Sequence, residues 1–269
     1  MRLVRGPAKS KEEISWDPYR RLAPESVSGF DAVIHLAGES IVGRWTAAKK
    51  KLIFESRVQG THNLADAVAK ANPRPKVLIT SSAIGYYGSR GDDRLTEEST
   101  SGSDFLSEVC RQWEAAAQPA AQAGIRTVQF RTGLVLSPDG GALQKMLPPF
   151  RLGVGGNMGY GRQWWSWIDV NDWVGAVHHV LNNDLLQGPV NAVAPKPVTN
   201  AEFTKILASV LKRPAIFPMP AFAARVVFGQ MADELLLSSQ RVEPAKLVAS
   251  GYPFLYSDLR KALEAILKK

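Results

Sequence analysis

Asp31-Ala-Val-Ile-His-Leu-Ala-Gly38 is a short, unbroken apolar run closed by glycine, the pattern of a strand buried on both faces. Helical spacing then takes over. Leu52, Ile53, Val58, Leu64, Ala67 and Val68 predict a helix from Thr46 to about Ala71, where Asn72-Pro73 stops it. Lys76-Val-Leu-Ile-Thr-Ser-Ser82 predicts a second buried strand. A helix follows from about Asp104 to Ala123, halted at Gly124, and then a third strand, Ile125-Arg-Thr-Val-Gln-Phe-Arg131. Strands alternating with helices through right-handed crossovers predict an α/β fold with a doubly wound parallel sheet over residues 1–150. Ligands of such sheets sit beyond the carboxyl ends of the strands, here near Leu36-Ala37-Gly38, Thr80-Ser81-Ser82 and Arg131-Thr132-Gly133.

Residues 151–269 follow a different rhythm. A glycine-rich, aromatic loop from Gly153 to Trp167 leads into a helix whose N-cap is expected at Asp172. Val190-Asn-Ala-Val reads as a short strand, Thr199-Asn-Ala-Glu202 as a capping box opening a helix to Leu211, and a last helix begins near Ser257. This half is expected to form a smaller C-terminal α+β substrate domain, with some segments returning to the main sheet. Gly153-Val-Gly-Gly156-Asn-Met-Gly159 has phosphate-loop spacing but no strand before it and no helix after it, so it reads as a flexible loop on the substrate side.

Composition narrows the classes. With 45% hydrophobic and 22% charged residues in 269, the chain has ordinary globular composition, and no stretch approaches the roughly 18 apolar residues of a membrane span. The start lacks an apolar signal segment, so a cytoplasmic setting is expected. Cys110 is the single cysteine, which excludes an intrachain disulfide, and no Cys/His spacing suggests a metal. His35, His178 and His179 read as core or surface histidines. The net charge of +8 comes from 33 basic and 25 acidic residues. Those cations are scattered and form no basic stripe interleaved with aromatics, so neither nucleic acid nor membrane is the expected partner.

His35-Leu-Ala-Gly-Glu-Ser, Thr80-Ser-Ser-Ala-Ile-Gly-Tyr-Tyr-Gly88, Trp113-Glu-Ala-Ala, Phe130-Arg-Thr-Gly-Leu-Val-Leu136 and Gly161-Arg-Gln-Trp-Trp-Ser-Trp-Ile-Asp169 together resemble the extended short-chain dehydrogenase/reductases. More narrowly they resemble the atypical branch of epimerase-family proteins. Met231 to Val242 and Ala249-Ser-Gly-Tyr252 are similar to the C-terminal domain of unknown function that marks that branch. The likeness runs over nearly the whole chain and implies a Rossmann-like sheet binding NADP(H), with NAD(H) left open as the alternative cofactor.

The resemblance implies cofactor contacts at Arg5, whose planar fork suits an adenosine 2′-phosphate, at the strand-end turn Leu36, Ala37 and Gly38, and at Arg57 and Ser107. Bland readings stand beside these: a solvated terminal Arg5, an ordinary strand-ending Gly38, an Arg57 surface ion pair and a Ser107 satisfying helix backbone. Tyr160, Arg162 and Trp164 are the substrate candidates, although the tryptophans at 164, 165 and 167 also suit an interdomain core. The family's Tyr-x-x-x-Lys is replaced by Leu106 and Cys110. Ser82 keeps the serine position and Tyr86 follows four residues on, so these two are the catalytic candidates. The residues therefore leave two readings, an oxidoreductase or epimerase acting on a small molecule, and a nucleotide-sensing or scaffolding protein that binds without turnover. A homodimer is allowed.

Against the family pattern the chain is short by roughly 30 residues, and the first strand–helix unit with its glycine turn is expected to be missing. The strand ending at Leu36 should then carry an unpaired apolar edge.

Overall fold

The computed structural model describes residues 1–267. In chain order its first half holds β1 (Arg2–Val4), β2 (Glu13–Ser15), β3 (Ala32–His35), α1 (Ala47–Lys70), β4 (Val77–Ala83), β5 (Arg94–Leu95), α2 (Phe105–Ala115), α3 (Gln118–Gln122) and β6 (Arg126–Thr132). The second half adds β7 (Leu134–Leu136), α4 (Gly141–Arg151), β8 (Trp164–Trp165), β9 (Trp167–Asp169), α5 (Val170–Leu181) and β10 (Gly188–Ala192). It finishes with β11 (Val198–Thr199), α6 (Asn200–Leu211), α7 (Ala221–Phe228), β12 (Arg241–Val242), α8 (Ala245–Ala249) and α9 (Leu259–Leu267).

Four strands form one parallel sheet in the order β10-β6-β4-β3. Their unbroken apolar runs are explained by burial on both faces. Leu78 packs with Leu64, Val68 and Ala120 of α1 and α3, whereas its neighbours Val77 and Ile79 face Ala176, Val180 and Leu247 of α5 and α8. The alternation of a strand thus feeds two cores, as a doubly wound sheet requires. Val190 sits in β10 beside Phe130 of β6, so this late strand belongs to the main sheet.

β3 is the outer strand of that sheet, and β1 and β2 pair with each other as a separate parallel ribbon. Ile34 and Leu36 are 43% and 54% exposed. Between β3 and the ribbon opens a cavity of about 410 Å³ lined by Leu3, Val4, Trp16, Phe30, Ile34 and His35.

Several boundaries have local causes. Thr46 caps α1 by accepting from the Lys49 N–H, and Asp104 caps α2 by accepting from the Ser107 N–H at 2.8 Å. The single helix expected from Asp104 to Ala123 is two helices, because Pro119 has no N–H to continue the ladder and restarts the chain in the first turn of α3. Asp172 is not the N-cap of its helix. Asp169 caps α5, accepting from the Asn171 N–H at 2.7 Å, while the fully buried Asp172 accepts from the Leu255 and Tyr256 N–H groups and the Tyr252 hydroxyl. The Thr199–Glu202 capping box is present. At the other end of α5, Arg126 donates to the carbonyls of Val180 and Leu186 at 3.0 Å, Leu181 at 3.2 Å and Asn183 at 3.4 Å.

The glycine-rich segment is packed rather than open. Phe217 and Met219 donate backbone hydrogen bonds to Gly155 and Asn157, and a Cβ on Gly156 would lie 2.1 Å from the Phe217 carbonyl. Trp165 and Trp167 are core residues packed with Phe150, Phe203 and Leu263. No helix among the described residues is long and apolar enough to cross a membrane.

His35 is 4% exposed, its Nε2 has no partner, and burial pushes its imidazole down to about 4. The unfolded chain takes up this proton near pH 6.5 while the folded chain stays neutral, so the stability that His35 allows at neutral pH is lost on acidification between about 6.5 and 4. Denaturant unfolding across that window should fall by up to about 3 kcal/mol, and His35→Asn should flatten the slope.

Candidate active site

The parallel register of β4 and β6 sets Ser82 directly beside Arg131 at the carboxyl end of the sheet. Above them lies α2, whose residues Leu106, Cys110 and Glu114 recur every four positions and therefore share one stripe of the helix. Its last turn brings Glu114 onto the strand pair. Arg131 donates from Nε to Glu114 Oε1 and from Nη2 to Oε2, both at 2.8 Å, in a fork-to-fork pair. Ser82 Oγ donates to the same Oε1 at 2.7 Å.

The network continues inward. Arg131 Nη1 donates to the Tyr87 hydroxyl at 3.0 Å, and Tyr87 donates to Asn191 Oδ1 at 2.6 Å. The Asn191 N–H donates to Glu97 Oε1 at 3.0 Å, so β4, β6 and β10 are bound to the loop after β5. Tyr86 lies over the Arg131 guanidinium at 3.5 Å from the ring centroid. The Arg131 and Glu114 side chains are only 3% and 14% exposed. Burial by itself would lower the Arg131 guanidinium, but the hydrogen bonds and charge of Glu114 outweigh it and the net direction is up. Burial pushes the Tyr87 hydroxyl up to about 12.

Of the positions where the family keeps its proton-transfer pair, Leu106 packs with Ile53, Val109 and Met231. Cys110 is a buried thiol pushed up to about 12, first by burial and then by the Glu114 charge. It stays protonated at neutral pH and is no base.

A second group gathers at the end of β3. Arg5, Leu36 and Ala37 line the cavity beside that strand. Gly38 adjoins the Arg57 guanidinium so closely that a Cβ there would lie 3.3 Å from Arg57 Cζ. Half-buried Arg57 donates to the carbonyls of Glu39 at 2.9 Å and Ile53 at 3.2 Å and lies 5.0 Å from the Trp113 ring. It has no carboxylate in ion-pair contact among the described residues, and desolvation by burial lowers its guanidinium.

The remaining candidates are more dispersed. Ser107 is fully buried and donates to the Gly85 carbonyl at 3.0 Å, which ties α2 to the loop after β4. Tyr160 is 92% exposed and Arg162 is exposed, and neither shares a hydrogen bond or ring contact with Ser82 or Tyr86 among the described residues. Trp164 donates to Asp92 Oδ1 at 2.7 Å and carries Arg241 over its ring at 4.3 Å. No cluster of three metal-ligating side chains occurs among the described residues.

Parallel strands, helices on both faces and a polar cluster at the strand carboxyl ends define a Rossmann-type α/β protein. Residues 20–192 match the NAD dependent epimerase/dehydratase family, and residues 219–266 match a domain of unknown function, DUF1731. The chain belongs to the NAD dependent epimerase/dehydratase family. It is 41% identical over 265 residues to an epimerase family protein of Mycobacterium bovis, covering 98% of this chain and 87% of that one. The crystal structure of human epimerase family protein SDR39U1 with NADPH is 35% identical, with a TM-score of 0.91 over 99% of this chain and 90% of that chain. A nucleoside-diphosphate sugar epimerase of Corynebacterium glutamicum is 40% identical, with a TM-score of 0.80 over 98% of this chain and 52% of that chain.

Removing Arg131 strands a buried carboxylate. Arg131→Met should destabilise the protein by about 3–5 kcal/mol, and adding Glu114→Gln should restore part of that loss. Equilibrium urea unfolding of the two single variants and the double variant measures both effects.

Proposed function

We propose that this chain is an NADP(H)-dependent oxidoreductase or epimerase of the atypical extended short-chain type, acting on a small molecule. The observation that carries the reading is Arg57, a half-buried cation with no carboxylate in ion-pair contact among the described residues, set against Gly38 at the end of β3. A guanidinium that has lost water and whose hydrogen bonds go only to carbonyls favours an incoming phosphate. Arg5, exposed on the neighbouring cavity, is a second cation suited to a 2′-phosphate. The SDR39U1 structure with NADPH supports the same assignment.

These residues fit the anionic part of a dinucleotide. Arg5, Leu36, Ala37, Gly38 and Arg57 would hold it, with backbone approach permitted by the small residues at the turn. When bound, the nicotinamide supplies hydride transfer. Ser82 and Tyr86, on the cluster around Arg131, are the groups we assign to the substrate oxygen. Ser107, which also ties α2 to the loop after β4, is kept as a cofactor-side residue, and Tyr160, Arg162 and Trp164 border the substrate side. The setting is cytoplasmic, and neither nucleic acid nor membrane is a partner.

A buried leucine and a thiol held protonated at the expected proton-transfer positions favour the second reading, a nucleotide sensor that binds without turnover. Mixing the protein with NADPH and a panel of carbonyl compounds and sugar nucleotides, while following nicotinamide absorbance, separates the two. Oxidation supports the enzyme, and tight binding without oxidation favours the sensor. In fluorescence titrations Arg5→Ala should weaken NADPH about tenfold more than NADH, through loss of the phosphate pair. Equal losses for both cofactors would remove Arg5 from 2′-phosphate recognition. Arg57→Ala should weaken both.

A further inference from the structure

A serine hydroxyl has one proton and two lone pairs, so its role toward a ligand depends on where that proton points. The Ser82 proton points at Glu114 Oε1, 2.7 Å away. That oxygen also receives Arg131 Nε at 2.8 Å, and its twin receives Nη2 at 2.8 Å, so the carboxylate is held as an acceptor from three directions. The groups around this centre leave one acceptor position on Ser82 open. Cys110, one helical turn before Glu114 on α2, is buried and protonated and is in hydrogen-bond contact with Ser82; since the serine proton goes to Glu114, the thiol is the donor there, and one of the two Ser82 lone pairs remains. The charged neighbours are Arg57 of α1, whose charge acts on Cys110, and Arg131 of β6 itself. Tyr87 of the loop after β4 gives its own proton to Asn191 of β10.

We propose that Glu114 is the positioning residue of Ser82: it takes up the serine proton in a hydrogen bond, leaving Ser82 Oγ to meet its ligand as an acceptor, so that the group recognised is a donor, an alcohol hydroxyl. This rests on reading Ser82 as the substrate-facing group. A carbonyl oxygen at the same place would set acceptor against acceptor. Ser82 is 3% exposed, so water has little access to relieve that mismatch. Arg131 is part of the device, because its fork keeps both Glu114 oxygens turned away from any role as donor. A tyrosine in the same place would supply a proton to a substrate oxygen, whereas the Ser82–Glu114 pair is arranged to receive one.

The first test uses protein labelled with 13C at the glutamate side-chain carboxyl, without cofactor or turnover. The Glu114 resonance is assigned by its loss in Glu114→Gln or, should that variant not fold, in Glu114→Asp. It should show a carboxylate shift, as the two-pronged pair with Arg131 requires, and move when Ser82→Ala removes the hydrogen bond. A resonance at the protonated position, or one that Ser82→Ala leaves in place, overturns the proposal. The second test compares 2-propanol with acetone by saturation-transfer NMR. The alcohol should give about fivefold more Ser82-dependent transfer, in keeping with the penalty for an unpaired buried polar group. Equal transfer, a preference for acetone, or signals unchanged in Ser82→Ala overturns the ligand class. Failure of NADPH to bind, with the Glu114 resonance behaving as expected, would remove the cofactor reading and leave the role of Glu114 intact.

Discussion

Arg131 and Glu114 leave water together, and neither tolerates burial alone. Taking an isolated carboxylate or guanidinium into a protein interior is so unfavourable that the two must meet with both forks satisfied. Arg131 is fixed by its strand, so the last turn of α2 has to descend onto the carboxyl ends of β4 and β6. Ser82 is captured on one side of the pair, Tyr87 and Asn191 on the other, and Tyr86 closes over the guanidinium. A candidate site that spans residues 82 to 191 of the chain is thus organised around one ion pair.

The sheet was largely legible in the sequence because its signals are local. Ala32–His35, Val77–Ala83 and Arg126–Thr132 are apolar runs whose meaning does not depend on distant residues, and the caps at Thr46, Asp104 and Thr199 act within a turn. Asp172 shows the limit. As a sequence pattern it reads as a cap, and only the return of residues 252–256 to its carboxylate, some eighty positions later, reveals a buried anchor. The split between α2 and α3 was encoded by Pro119 but outweighed by the surrounding alanines. The candidate site was legible by halves. Ser82 and Tyr86 stand out beside the family motifs, yet Glu114 and Arg131 passed as markers of a motif, since their partnership joins a helix to a strand 17 residues on.

Two arginines illustrate how environment, rather than residue type, divides roles. Arg131 is saturated by a carboxylate, a tyrosine hydroxyl and an aromatic face, and has nothing left for a ligand. Arg57 has backbone carbonyls and a tryptophan face as its direct contacts, with Glu39 acting on it only through its charge. The first holds the fold together, and the second is the cation we assign to the phosphate of a cofactor. The same contrast runs through the tryptophans, where Trp165 and Trp167 build the C-terminal core and Trp164 meets polar groups at its surface.

The arginine at the end of α5 bears on how freely this protein can vary. Arg126 gathers four carbonyl oxygens where a helix would ordinarily end on a glycine turn. Every chain of L-residues offers the same carbonyls, so among the described residues from Val180 to Leu186 the side chain that enters this clasp is that of the exposed Asp184, 3.4 Å from Arg126 Nη2. The specificity of the junction is stored in one position of the neighbouring strand. A change confined to Arg126 would alter a segment that it never adjoins in sequence.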